Sequence, residues 1–270
     1  MKRLFAALCA ALAINSPVLA ESKPATELTA LMTSYEARGW EAVGRLNIGY
    51  GGMCTGALIS SRLVLTAAHC LYDQGSAEQV PASEITFLAG WRNGKALAYR
   101  KVRRAITHPE YEYTGPSGEM RISNDLALLE LESEIRLSQV QPFKIASRPR
   151  KGANVGVVSY AHDRSNTLSL QEVCHVLARQ RGALIVSCDV DFGSSGAPIF
   201  AEVDGEARIV SVVSAKATVQ GRRVALGTNL EKPLQELKDL MGQADGVFVR
   251  AAPGTLMPNR NTGGAKFLKP

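Results

Sequence analysis

The sequence predicts an all-β protein, and three observations carry that prediction. From Val43 onward the chain breaks into short apolar runs of five to nine residues, enriched in β-branched side chains and separated by Gly, Pro, Asn and Ser. Runs of that length at that spacing belong to a barrel or a sandwich. Asp204-Gly205, set between two such runs in "FAEVDGEARIV", is a strong hairpin signal. A single stretch, "NLEKPLQELKDLMG", has helical spacing instead: Leu230, Leu234, Leu237 and Met241 share one face, so a C-terminal helix follows the last strand.

Taken in order, residues 1–20 read as a secretory signal. Lys2 and Arg3 supply the positive start, Leu4 to Ile14 the apolar centre, and Val18-Leu19-Ala20 the small-residue cleavage region. Residues 21–40 are polar and Ala-rich, and read as an N-terminal extension, a short helix or a propeptide. The runs "VGRLNIGY", "CTGALIS", "RLVLTAAHC", "EITFLAGW" and "DLALLELE" form one group of strands. "VGVVSY", "LSLQEVCHVLA", "ALIVSCDVD", "APIFAEV", "ARIVSVVSA" and "RVALGTNL" form a second. The groups part around residues 140–152, dividing a domain over 41–242 into halves at about 41–140 and 141–230. Residues 243–270, rich in Pro, Gly and Asn, read as a basic flexible tail.

The net charge of +6 over 270 residues is spread along the chain. Scattered cations of this kind favour solvated loops and edge strands over a nucleic-acid surface. No stretch after the signal is long and apolar enough to anchor the chain in a membrane. The expected product is a secreted or periplasmic monomer acting on protein or peptide substrates, with no nucleic-acid partner and no cofactor.

Of the five cysteines, Cys9 leaves with the signal, and Cys54, Cys70, Cys174 and Cys188 remain. Four cysteines in an exported chain permit two disulfides in three pairings. The local pairing, Cys54–Cys70 with Cys174–Cys188, closes two short loops. CxxC and CxxH spacings are absent from the sequence, which argues against a structural metal.

Three residues stand out for chemistry, each with a plainer reading beside it. His69 ends the apolar run "LTAAHC" next to a cysteine; a lone histidine is more often a satisfied structural residue. Asp125 heads the alternating run "NDLALLEL"; Asn-Asp is also an ordinary strand-entry turn. Ser195 lies in "DFGSSGAPIF", which is also an ordinary small-residue turn. His108, His162 and His175 lack the strand-end, cysteine-flanked context of His69 and read as surface residues.

With those segments in order, the sequence resembles the trypsin/chymotrypsin-like serine peptidases over about residues 41–230. "CTGALISSRLVLTAAHC", "NDLALLEL" and "GSSGAPIF" match the family's histidine, aspartate and serine segments. The resemblance implies two antiparallel six-stranded β-barrels with a cleft between them. It implies His69 as general base, Asp125 as its orienting partner and Ser195 as nucleophile, with an oxyanion hole from the backbone N–H groups of Gly193 and Ser195. An α/β-hydrolase is excluded by the order His, Asp, Ser and by Pro198, which blocks a helix after the serine. A non-catalytic binding protein that kept the fold is the alternative from another class.

Two features depart from the family pattern. Ser194 precedes the candidate nucleophile where the trypsin branch carries an Asp for a newly cut N-terminus, and the Ile-Val-Gly-Gly start of such enzymes is missing. G-x-S-G-x-P without that Asp is similar to the bacterial glutamyl-endopeptidase (V8-like) branch. The resemblance also points to Asp189, Ser214, Ala215 and Lys216 as substrate-binding positions. Asp189 would favour Arg or Lys before the scissile bond; Lys216 would neutralise Asp189 or favour an acidic side chain there.

Overall fold

The computed structural model describes residues 23–113, 119–180 and 182–243. The signal segment, Cys9 and nearly all of the C-terminal tail lie outside them. Thirteen strands run in chain order: β1 (Thr29–Ala30), β2 (Val43–Ile48), β3 (Gly52–Leu58), β4 (Leu63–Thr66), β5 (Ile85–Ala89), β6 (Ala98–Thr107), β7 (Ala127–Leu131), β8 (Asn154–Ser159), β9 (Ser169–Gln180), β10 (Ala183–Val186), β11 (Pro198–Val203), β12 (Glu206–Val219) and β13 (Arg222–Thr228). Among the described residues one α-helix, α1 (Glu231–Gln243), follows.

The first six-stranded barrel closes in the order β2-β3-β4-β7-β6-β5, with every neighbouring pair antiparallel. The second runs β9-β10-β13-β12-β11-β8 and closes through β8 against β9. Closure removes the free edges that would otherwise pair with other chains. The predicted hairpin joins β11 to β12, and Asp204 and Gly205 both take positive φ, at 55° and 76°. Two positive φ values in a two-residue loop give the turn whose twist matches the flanking strands.

The halves exchange arms. The segment Thr26–Leu31, which contains β1, leaves the first barrel and lies along β9 of the second, with Thr29 opposite Leu170 and Ala30 opposite Ser169. No helix forms over residues 23–40. In return α1 follows the second barrel's last strand and packs on β6 and β7 of the first. Its apolar face is Pro233, Leu234, Leu237 and Met241. His108 is not a surface residue: it is 3% exposed, and its Nε2 meets Glu236 Oε2 on α1 at 2.7 Å. The sequence around it, at the end of β6, gives no sign of a helix that arrives 128 residues later.

Trp40, Phe143 and Phe200 pack edge to face, with Phe143 4.7 Å from Phe200 and Trp40 5.0 Å from Phe200 between ring centroids. They come from the lead-in to β2, the link between barrels, and β11. This cluster, with Thr55 described below, holds the barrels in register.

Candidate active site

His69 sits on a single 3-10 turn, Ala68–Leu71, directly after β4. The turn is pinned from two sides. Ala67, Ala68 and Leu71 are fully buried, and Cys70 is bonded to Cys54 on β3. Asp125, 1% exposed, precedes β7, the strand paired with β4. Its carboxylate therefore faces the histidine turn across one strand pairing. Oδ1 accepts the backbone N–H of His69 at 2.8 Å, and Oδ2 lies 2.7 Å from the ring Nδ1. Ser214, on β12 of the other barrel, donates its hydroxyl to the same Oδ2. A buried carboxylate needs such partners. An acceptor at Nδ1 selects the tautomer with the proton there and leaves Nε2 as a base.

The turn with Ser195 is built from glycine and from bonds to the first barrel. Gly193 and Gly196 have φ of 94° and 77°. A Cβ at Gly196 would come within 2.3 Å of the Thr55 carbonyl oxygen, so that position has no room for a side chain; one at Gly193 would displace the Met53 Cε and crowd the Ala161 backbone at 3.0 Å, on a φ that disfavours any side chain. Thr55 is the hub. Its N–H donates to the Ser195 carbonyl at 2.9 Å, and its hydroxyl donates to the Gly193 carbonyl and accepts from the Tyr160 N–H, both at 3.0 Å. The turn thus rests on β3, the strand that also carries the disulfide behind His69.

Ser194 and Ser195 differ sharply. Ser194 is fully buried, and its Oγ lies 3.2 Å from Ser159 Oγ, accepts the Asp191 N–H at 3.3 Å and faces the Arg164 guanidinium at 3.5 Å. Ser195 is half-buried. Of the two adjacent serines, the second keeps access to solvent.

The substrate-binding candidates separate in space. Ser214 joins the Asp125 carboxylate, and Ala215 is half-buried beside it on β12. Lys216 does not reach toward Asp189. Its Nζ meets Asp191 Oδ1 at 2.6 Å and lies 3.8 Å from the centroid of the exposed Phe192 ring. The Lys216 hydrogen bond, then the Phe192 N–H, hold the Asp191 carboxyl below its ordinary value. Asp189 is exposed and borders a different depression, with Glu27, Leu28 and Arg164. Lys216 and Asp191 border another, with Val190, Ala217 and Arg223. Asp191 carries no family-pattern signal, and its pairing depends on how the 191–193 turn faces β12.

The ligand atoms of Cys54, His69 and Cys70 lie within 4.8 Å of one another. Both sulfurs are spent in the disulfide, which leaves one imidazole and no metal-binding set. The second disulfide, Cys174–Cys188, ties β9 to the start of the serine loop. Both follow the local pairing.

A family model described as Trypsin matches residues 32–230. The chain belongs to the trypsin family. Among this family's curated proteins, the serine protease SP24D of Anopheles gambiae is 43% identical over 107 residues, 39% of this chain and 36% of that protein. The inactive serine protease PAMR1 of Homo sapiens is 28% identical over 102 residues, 35% of this chain and 13% of that protein. The chain therefore matches about a third or less of the length of these relatives. A solved Glu endopeptidase in complex with MPD has the same fold, at a TM-score of 0.65 and 17% identity, over 80% of this chain and 97% of that structure. The relatives matched in this family include both a serine protease and an inactive serine protease.

Proposed function

We propose that this protein is an exported serine endopeptidase acting through His69, Asp125 and Ser195. One observation carries the reading: the buried Asp125 carboxylate grips His69 by both its backbone N–H and its ring Nδ1. A carboxylate so placed holds the imidazole with Nε2 free to take a proton. Ser195 Oγ adds to the scissile carbonyl carbon while its proton passes to His69 Nε2, and the carbonyl π pair moves onto oxygen. The N–H groups of Gly193 and Ser195 receive that oxyanion. Collapse expels the amine, which takes the proton from His69, and leaves an acyl-enzyme. Water repeats the sequence and frees Ser195. The predicted signal and the two disulfides support export to an oxidising compartment.

The glutamyl-endopeptidase-like branch is the finer reading, and the charge around Lys216 favours it. The depression bordered by Lys216 and Arg223 contains two cations and one carboxylate, Asp191, already bound by Lys216. Were the side chain before the scissile bond to enter that depression, an acidic one would meet net positive charge. Asp189, the residue that would attract Arg or Lys, borders a separate surface.

The test is a fluorophosphonate probe on the wild type beside Ser195→Ala. Labelling of the wild type alone supports the activated serine. Equal labelling of both assigns the chemistry to another serine. Labelling of neither supports the non-catalytic binding protein.

A further inference from the structure

We propose that the strap Thr26–Leu31 is an ordering element of the working enzyme, and that Gln171 is the positioning residue that couples it to the loop carrying Ser195. The inference rests on the serine-peptidase reading for its consequence, but not for its geometry.

The strap is bonded at one end to β9 and at the other to Leu168, the residue just before it. Thr26 N–H donates to the Val173 carbonyl at 2.9 Å, the Val173 N–H donates to Thr26 Oγ1 at 2.9 Å, and Leu31 N–H donates to the Leu168 carbonyl at 2.8 Å. Between them stands Gln171, 6% exposed. Its Nε2 donates to the Thr26 carbonyl at 2.8 Å, and its Oε1 accepts the Asp189 backbone N–H at 2.7 Å. The two partners fix the orientation of the amide: a backbone N–H can only donate and a carbonyl can only accept. One buried side chain therefore clamps the strap on one side and the 188–195 loop on the other. If the strap leaves, a buried Nε2 loses its acceptor, and the amide is free to turn away from Asp189.

The loop needs such a tie. Ser194 is a neutral residue, so an ammonium set free by chain cleavage has no carboxylate at that position. What orders the loop is the Cys174–Cys188 bond, the Thr55 bonds to Gly193 and Ser195, the Ser194 hydroxyl among Asp191, Ser159 and Arg164, and Gln171. Gln171 is the member of this set that connects to the N-terminal segment. A maturing cut upstream of Thr26 leaves the clamp whole, and a cut between Thr26 and β2 releases it.

The test uses the full chain with Gln171→Met, which keeps volume but loses both bonds, and Thr26→Pro, which loses the strap's bonds to Val173 but keeps the carbonyl that accepts from Gln171. Amide hydrogen exchange over 188–195 is read on a Ser195→Ala background, so that it is independent of catalysis. Both variants are expected to speed exchange there by about tenfold while β2–β7 amides stay unchanged. In the active chain both are expected to slow fluorophosphonate labelling and kcat by about tenfold, with KM within about twofold. Unchanged loop exchange in Gln171→Met overturns the coupling. Loop exchange unchanged in Thr26→Pro, with the strap's own amides released, overturns the strap's role. If the wild type never labels but loop exchange responds to both variants, the peptidase reading fails and the clamp stands.

Discussion

Lys216 is the residue whose surroundings differ most from a simple sequence reading. Its neighbour in space is Asp191, not Asp189, and Phe192 lies against its ammonium. Lys216 keeps two N–H donors beyond the one given to Asp191. Replacing it by Gln is expected to lower kcat/KM about tenfold for peptides with Glu before the scissile bond. Arg-containing peptides are expected to change by about twofold or less. A P1 peptide library run on both proteins measures this, and an equal loss on Glu and Arg peptides would count against an acidic preference. The His69–Asp125 pair was legible because each residue lies in a local context, at a strand end or a strand start. Thr55, Gln171 and Asp191 were not. Each works through contacts across the fold, such as the 138 residues from Thr55 to Gly193. An isolated Thr or Gln in a strand looks the same whether or not it has such a partner.

At the scale of elements, α1 is held by an apolar face, by the His108–Glu236 hydrogen bond and by one from Arg104 to the Met241 carbonyl. The His108 hydrogen bond, then that from Lys232, hold the Glu236 carboxyl below its ordinary value of 4.5. A carboxyl depressed in the folded state adds stability that is complete above its unfolded value and is lost as pH falls through its folded one. The docking of α1 is therefore expected to weaken below pH 4.5. Glu236→Gln should melt below the wild type at about pH 6, with the gap gone near pH 3. Thermal unfolding at the two values checks it, and a gap that persists in acid would refute it. The helix itself was plain from Leu230, Leu234, Leu237 and Met241, and the hairpin from Asp204-Gly205, because periodicity and turn chemistry are local. β1 was not, since two residues of strand have no period to read.

For the whole molecule, two barrels share one site, and the cross-links lie where they meet. Cys54–Cys70 closes a loop of sequence separation 16 behind His69. The Cys54→Ser, Cys70→Ser double variant is expected to lose about 3 kcal/mol, a fall of about 10 °C in Tm by calorimetry. It should lose more activity than the corresponding pair at Cys174 and Cys188 loses through stability alone, because the histidine turn rests on that bond. A stable variant with undiminished turnover would separate the disulfide from the site. The exchanged arms have a further consequence, in the order of events as the chain is made. Thr26 finds Val173 only after 147 more residues exist. Contacts that distant form late, and a ribosome delivers the N-terminal half first. In a half-made chain the residues of the first barrel, His69 and Asp125 among them, exist before the strap has β9 to lie on. On the proposed serine-peptidase reading, synthesis itself then leaves the site incomplete until β12 brings Ser214 to Asp125.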